Sequence, residues 1–365
     1  MAGRKVTRRQ FVQTSAAAAA GVAAGMAASK LSAADKAKII NYNENMEYRP
    51  CGKTGMVVSA VAMGGHWKRI EKVAAGEGKV GWLTQDINNA DFQKNRYDVV
   101  TRCMERGINW IDACTIEEVK TYARAIKGRR DKMYLACSWY QREMRIAEFR
   151  TEAKLMETLE WGLKDAGIDY ADLWRITMHE QSNQHTDAEV EEMMKALAKA
   201  KKQGKVRFTG FSSHHRDHIK GMIEKYPEVV DAFCTPYHAK TKEMPTDSLF
   251  ETVRKYQVGI FGIKPFSSNS LFNDEFKKAG DNPPLHTPDT DRLARLAIRY
   301  ILCNPTLTAP IPGLINEHQV DNVAKAVMER RKLDANEKAE LDAAMDSAWA
   351  SLPPDYQWLK NWEYV

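Results

Sequence analysis

The strongest constraint on the fold is a repeated alternation. Short apolar runs recur at residues 57–65, 108–111, 133–138, 173–178, 206–211, 229–235, 259–263 and 307–311. Between most of them lie stretches with apolar residues at helical spacing, at 95–106, 117–126, 149–166, 186–203, 216–224, 293–302 and 317–329. Thr186-Asp-Ala-Glu189 reads as a capping box that opens one of these helices, and Gly204 stops it. Eight strands alternating with helices favour a closed (β/α)8 TIM barrel over an open doubly wound sheet. No G-x-G-x-x-G motif follows a strand, so a Rossmann dinucleotide site has no support. In a barrel, the polar residues just after each strand converge on one face. That rule gathers His66, Asp112, Ser138, His179, Glu180, Ser213, His214, Tyr237, His238 and Lys264.

Charge adds little to the functional reading once it is located. The formal net charge is +6, but residues 1–34 hold Arg4, Lys5, Arg8, Arg9 and Lys30 and no acid. The remainder has 49 basic against 48 acidic residues, which gives no electrostatic case for nucleic acid. Residues 1–34 read as an export signal instead. Thr7-Arg8-Arg9-Gln10-Phe11-Val12 resembles the twin-arginine consensus. An Ala/Gly run follows from Ser15 to Ala28, and Ser32-Ala33-Ala34 offers small residues for cleavage. The expectation is a periplasmic or otherwise exported protein, handled by the twin-arginine translocase and with no stable membrane span in the mature chain.

After this signal the sequence divides into a polar linker at 35–46, a barrel at 47–334 and a C-terminal helix with an aromatic tail at 335–365. Residues 66–93 form a long polar insert, as expected for a lid or binding loop. The six cysteines are scattered without a C-x-x-C pair, which argues against a zinc knuckle or an iron–sulfur site.

Five segments, in order along the chain, carry a family likeness: Arg49 to Ser59, Gly107 to Asp112, Ala125 to Lys132, Gly204 to Ser212, and Ile311-Pro-Gly313. Together they resemble the aldo/keto reductases. The resemblance implies a barrel that binds NADP or NAD across the strand ends and passes a hydride between the nicotinamide and a carbonyl or alcohol. It also implies a catalytic tetrad of aspartate, tyrosine, lysine and histidine, in which the lysine lowers the pKa of the tyrosine. Asp112 matches the aspartate and His179 the histidine, although the strand before His179 carries two extra residues. No tyrosine follows Asp112 in the expected loop, since Tyr122 falls mid-helix, and Ser138 stands where the lysine belongs. On this reading the tetrad is degenerate and Asp112 has lost its usual partner. His179, or His66 at the end of the first strand, becomes the candidate acid, because imidazole titrates near neutrality without help.

By the same resemblance Ser212 and Ser213 would hold the nicotinamide amide, and Cys234 replaces a glutamine. Lys264, Pro265, Phe266 and Gly313 fit the loops on the pyrophosphate and adenosine side. Asn322 fits an adenine contact, and Asn316 replaces the basic residue that would pair with a 2′-phosphate. Two other classes of function stay open. Histidines and acids after strands could bind a divalent metal for hydrolase, lyase or isomerase chemistry. Alternatively, Trp67, Trp139, Tyr140 and Tyr237 could stack on a sugar in a non-catalytic barrel, although core burial is the simpler role for each.

Overall fold

The structure is a computed structural model and describes residues 32–67, 86–278 and 285–352, with isolated positions beyond. The expected signal segment, most of the 66–93 insert and most of the aromatic tail therefore lie outside the described residues.

An antiparallel hairpin, β1 (Tyr48–Pro50) with β2 (Val57–Ser59), precedes the barrel. Eight parallel strands follow: β3 (Met63–Gly64), β4 (Trp110–Ala113), β5 (Tyr134–Cys137), β6 (Ala171–Thr177), β7 (Val206–Ser212), β8 (Ala232–Pro236), β9 (Gly259–Ile263) and β10 (Ala309–Ile311). Each pairs with the next in sequence order. The ring is completed where the Ala62 and Gly64 amides donate to Pro310 O and Pro312 O, at 3.0 and 2.8 Å. This is the (β/α)8 barrel.

The principal helices are α1 (Ala90–Glu105), α2 (Ile116–Ala125), α3 (Glu152–Ala166), α4 (Asp187–Lys202), α5 (Arg216–Lys225), α6 (Leu249–Tyr256), α7 (Pro288–Leu302), α8 (Glu317–Met328) and α9 (Ala335–Ala350). Their starts are chemically marked. The side chains of Asn89, Thr115, Thr151, Thr186, Ser248, Thr287, Asn316 and Asp334 each accept a backbone N–H of the first turn.

The run 57–65, expected as one buried strand, is split. Its first part belongs to the hairpin, and only Met63 and Gly64 enter the barrel. Helix α1 starts at Ala90, so the polar insert ends earlier than its composition suggests. The segment 35–46 is more than a tether, since Ile39 and Met46 are buried and Asn41 and Asn43 donate to Met104 O and Glu105 O at the end of α1. Helix α6 has no counterpart in the periodicity reading, although Ser248 caps it.

Three apolar clusters hold these layers. One lies between the barrel and its helices. A second fills the barrel, where Trp110 stacks on Phe261 at 4.3 Å and Cys51, Met56 and Val58 of the hairpin region close one end. The third joins α9 to α7, with Leu341 and Met345 among Leu293, Leu296 and Ala297. The C-terminal helix thus packs on the outside of the barrel.

Candidate active site

A cavity of about 330 Å³ opens at the C-terminal ends of the strands, where this architecture collects its chemistry. Its wall includes His66, Asp112, Cys114, Tyr140, Arg175 and Glu180 on one side. On the other are Ser212, His214, Lys264, Pro265, Phe266, Gly313 and Asn322.

Asp112 sits within β4 rather than after it, and its carboxylate is almost fully buried. The lysine that the resemblance would place beside it is absent, and an arginine takes up the carboxylate instead. Arg175 of β6 forms a bidentate pair with it, Nε to Oδ1 at 2.8 Å and Nη2 to Oδ2 at 2.9 Å. Burial opposes the charge on Arg175, but Asp112 outweighs it and holds the guanidinium well above its usual pKa. Arg175 therefore stays charged and cannot serve as a proton donor.

Arg175 also starts a directed chain of hydrogen bonds. Its Nη1 donates to Thr177 Oγ1 at 3.2 Å. Ser138 Oγ lies 2.7 Å from Thr177 Oγ1 and donates to Glu143 Oε2 at 2.6 Å. Because the Ser138 proton is committed to the carboxylate, Thr177 must be the donor to Ser138. Glu143 is fully buried and also accepts from the Trp139 and Thr177 amides and from Trp174 Nε1. Burial nonetheless raises its pKa against the pull of those bonds. Ser138, in the position expected for lysine, is thus a link in a hydrogen-bond chain that ties β5 to β6.

His66 stands at the mouth with its side chain 45% exposed. Its Nδ1–H donates to Glu118 Oε1 at 2.6 Å, and Glu118 is fully buried in the first turn of α2. The other carboxylate oxygen accepts the Cys114 amide at 2.8 Å. Gly65 makes room for this carboxylate, since a Cβ there would lie 2.5 Å from Glu118 Oε2. Cys114 Sγ is 4.0 Å from both ring nitrogens of His66.

His179 does not join the cavity wall. Arg150 Nη2 donates to its Nε2 at 3.1 Å, and its ring stacks on His185 at 4.9 Å. Burial, then Arg150 and Arg145, lower its pKa. His214 does line the cavity, but burial, then Lys264 and Arg145, hold it well below the usual imidazole value. It is neutral near pH 7.

Ser212 reaches the cavity, whereas Ser213 turns away into a buried hydrogen-bond chain with Ser182 and His218. Lys264, Ser267, Ser268 and Asn269 all have left-handed backbone, which is costly without glycine and clusters at ligand-gripping loops. Lys264, Pro265, Phe266, Ser268 and Asn269 line the cavity. Behind Gly313, the fully buried Arg96 donates to Leu314 O and Ile315 O, both at 2.8 Å, and fixes that edge. Asn322 is held by Arg295 at 2.7 Å and by the carbonyl of Asp291 at 3.0 Å. Asn316 caps α8. Trp67, Trp139 and Tyr237 are core residues, and of the four aromatics considered for stacking only Tyr140 lines the cavity. Sequence reasoning missed Arg175 and Glu118. An arginine inside the apolar run 173–178 was the available signal for the first, and a glutamate three residues after a capping threonine gave none for the second.

A parallel barrel whose strand-end cavity is walled by a buried ion pair, a carboxylate-held imidazole and a loop of left-handed backbone has the frame of a small-molecule barrel enzyme. The sequence profile of the aldo/keto reductase family matches residues 73–346, and the chain belongs to that family. Its members generally use NAD(P)H. L-galactose dehydrogenase of Arabidopsis thaliana is 23% identical over 325 residues, covering 82% of this chain and 95% of that protein. The holo form of aldo-keto reductase AKR11C1 from Bacillus halodurans superposes with a TM-score of 0.58 at 20% identity, covering 82% of this chain and 96% of the other. Its apo form gives 0.55 with the same identity and coverage. At this identity the structural likeness shows the fold alone.

Proposed function

We propose that the protein moves a hydride between a nicotinamide cofactor and a small carbonyl or alcohol in the strand-end cavity, with a rebuilt set of acid–base groups. The observation that carries this reading is the His66–Glu118 dyad, which opens on the same cavity as the Asp112–Arg175 pair. The cavity suits a dinucleotide in the chemistry of its wall: one lysine, hydroxyls and an amide from a strained turn, and apolar Phe266, Phe272 and Val323 for ring faces. When bound, the nicotinamide supplies or accepts the hydride.

His66 carries the proton exchanged with the substrate oxygen. Glu118 fixes Nδ1, which leaves Nε2 for the substrate. Tyr140 is the weaker candidate. Its pKa is raised by burial and then by Cys114, the reverse of what a tyrosine relay needs. Asp112 and Arg175 present a fixed charge pair that orients polar substrate groups together with Thr177. His179, held by Arg150, acts as a support behind the wall.

The cofactor we favour is NAD. Asp291 lines the cavity beside Gln319 and Asn322, its carboxylate held by His318 at 2.6 Å. A 2′-phosphate at that end would meet a carboxylate instead of a cation. The polar wall of Arg145, Thr177 and Glu180, and the activity in the name of the Arabidopsis relative, support a hydroxylated substrate such as a sugar or polyol. We further propose that residues 1–34 direct the folded protein to the periplasm. Replacing Arg8 and Arg9 with lysine should then retain it in the cytoplasm, and unchanged fractionation would contradict this.

The direct test uses protein folded in the cytoplasm. A panel of aldoses and polyols is assayed by nicotinamide absorbance, and melting is followed with NAD and NADP. We expect a larger melting shift with NAD. His66→Asn should lower kcat by about 10²- to 10⁴-fold with nucleotide binding unchanged. Absence of any nucleotide-induced shift would remove the reading.

A further inference from the structure

We propose that His66, Cys114 and Glu118 form a binding site for a borderline divalent metal ion, best suited to zinc, that opens on the catalytic cavity. The proposal goes beyond the hydride-transfer reading, and the two can fail separately.

Three donor types meet at this corner: imidazole nitrogen, thiol sulfur and carboxylate oxygen. Their ligand atoms all lie within 4.8 Å of one another. A mixed nitrogen, sulfur and oxygen set selects zinc and its near neighbours over magnesium or calcium. Tetrahedral zinc needs donor separations of roughly 3.3–3.8 Å, from bond lengths of about 2.0–2.3 Å. The present separations bracket that range, with 2.6 Å from nitrogen to oxygen and 4.0 Å from sulfur to either ring nitrogen. His66 can make the required shift because its side chain is half exposed, while Glu118 is fixed by burial and by the Cys114 amide.

The thiol lies against the same carboxylate, to which it donates, so all three donor groups converge on one point. It stands equally far from both ring nitrogens, so it points at neither lone pair. With thiolate and carboxylate deprotonated, the set carries two negative charges and a divalent ion neutralises it. Three protein ligands leave a fourth position, as catalytic sites do, and His66 and Cys114 both line the cavity. With the ion in place, His66 is a ligand and the ion faces the substrate oxygen. Without it, His66 and Glu118 remain the dyad described above.

A second grouping, His286, Asp291 and His318, also brings donors within 4.8 Å, but it contains no sulfur. That difference makes cobalt(II) the decisive probe. Full-length protein carrying His318→Ala, which removes the sulfur-free competitor, is stripped with chelator and titrated with cobalt(II). We expect one ion per chain, visible bands of tetrahedral intensity and a near-ultraviolet thiolate-to-cobalt charge-transfer band. Cys114→Ser should abolish the charge-transfer band, and His66→Ala, at a half-exposed side chain, should weaken binding at least tenfold while the protein stays folded. Zinc should displace the cobalt. Folded protein that develops no such bands, or a thiolate charge-transfer band that persists in Cys114→Ser, would overturn the proposal. A nucleotide-induced melting shift in the metal-free protein would leave the hydride-transfer reading standing in either case.

Discussion

At the residue scale, the Asp112–Arg175 pair dominates the energetics of the cavity floor. Two charges this deeply buried are stable only together, because either one alone keeps its desolvation cost without the attraction that offsets it. Arg175→Met should therefore destabilise the fold by about 3–5 kcal/mol. Adding Asp112→Leu to Arg175→Met should recover much of that loss, since an apolar pair of similar volume carries no stranded charge. Urea unfolding of the single and double variants measures both effects. A double variant no more stable than Arg175→Met would contradict the account. The pair shows why an aspartate in a strand does not reveal its own partner. Arg175 is 63 residues away along the chain and meets Asp112 only because β6 lies two strands from β4 in the barrel.

At the scale of elements, the barrel depends on close strand approach. Gly210 in β7 faces β8 so tightly that a Cβ would lie 1.8 Å from Ala232 O. Because that obstacle is backbone, it cannot rotate away. Gly210→Ala should cost about 3 kcal/mol or give insoluble protein. Gly167→Ala offers a contrast, since its Cβ would meet nothing within 4 Å and only the left-handed backbone penalty of about 1 kcal/mol applies. Thermal melts of the two variants test the ranking, and equal destabilisation would refute it. Strand β3 illustrates the same dependence on context. Nine residues of strand-like sequence deliver only two to the barrel, because the preceding three pair with β1 instead.

At the scale of the whole molecule, buried neutral histidines set the response to acid. Burial, then His179, holds His185 at about 4, and burial, then Lys240, holds His238 at about 3. His214 is likewise pushed well below its ordinary value. Unfolding returns each to about 6.5, so below that pH the unfolded chain binds more protons. Their contribution is complete above about pH 6.5 and is lost as pH falls towards the folded values near 4 and 3. Melting temperature should decline steadily from pH 7 to pH 4.5, and His238→Asn should make that decline shallower. A flat profile over this interval would contradict the assignment of neutral buried imidazoles.

Periodicity and capping chemistry made the fold legible in the sequence, because both act over a few neighbouring residues. The strand Gly259–Ile263 and the helix starts at Asp187 and Glu317 fall where the local pattern puts them. The site was legible only in part. The cavity wall holds Asp112, His66, Ser212, Lys264, Pro265, Phe266, Gly313 and Asn322, each of which lies near the C-terminal end of a strand, in a strand-end loop or in the helix after it. His179 also follows a strand, yet it turns to Arg150, and Ser213 turns to Ser182. A one-residue step along a strand or its extension reverses the side chain, and sequence spacing alone does not fix that register. By itself, therefore, the sequence determined the order of the eight barrel strands and most of the helices between them. Only the tertiary structure decided which charges meet, because strand pairing brings together Arg175 and Asp112, 63 residues apart, and His66 and Glu118, 52 residues apart.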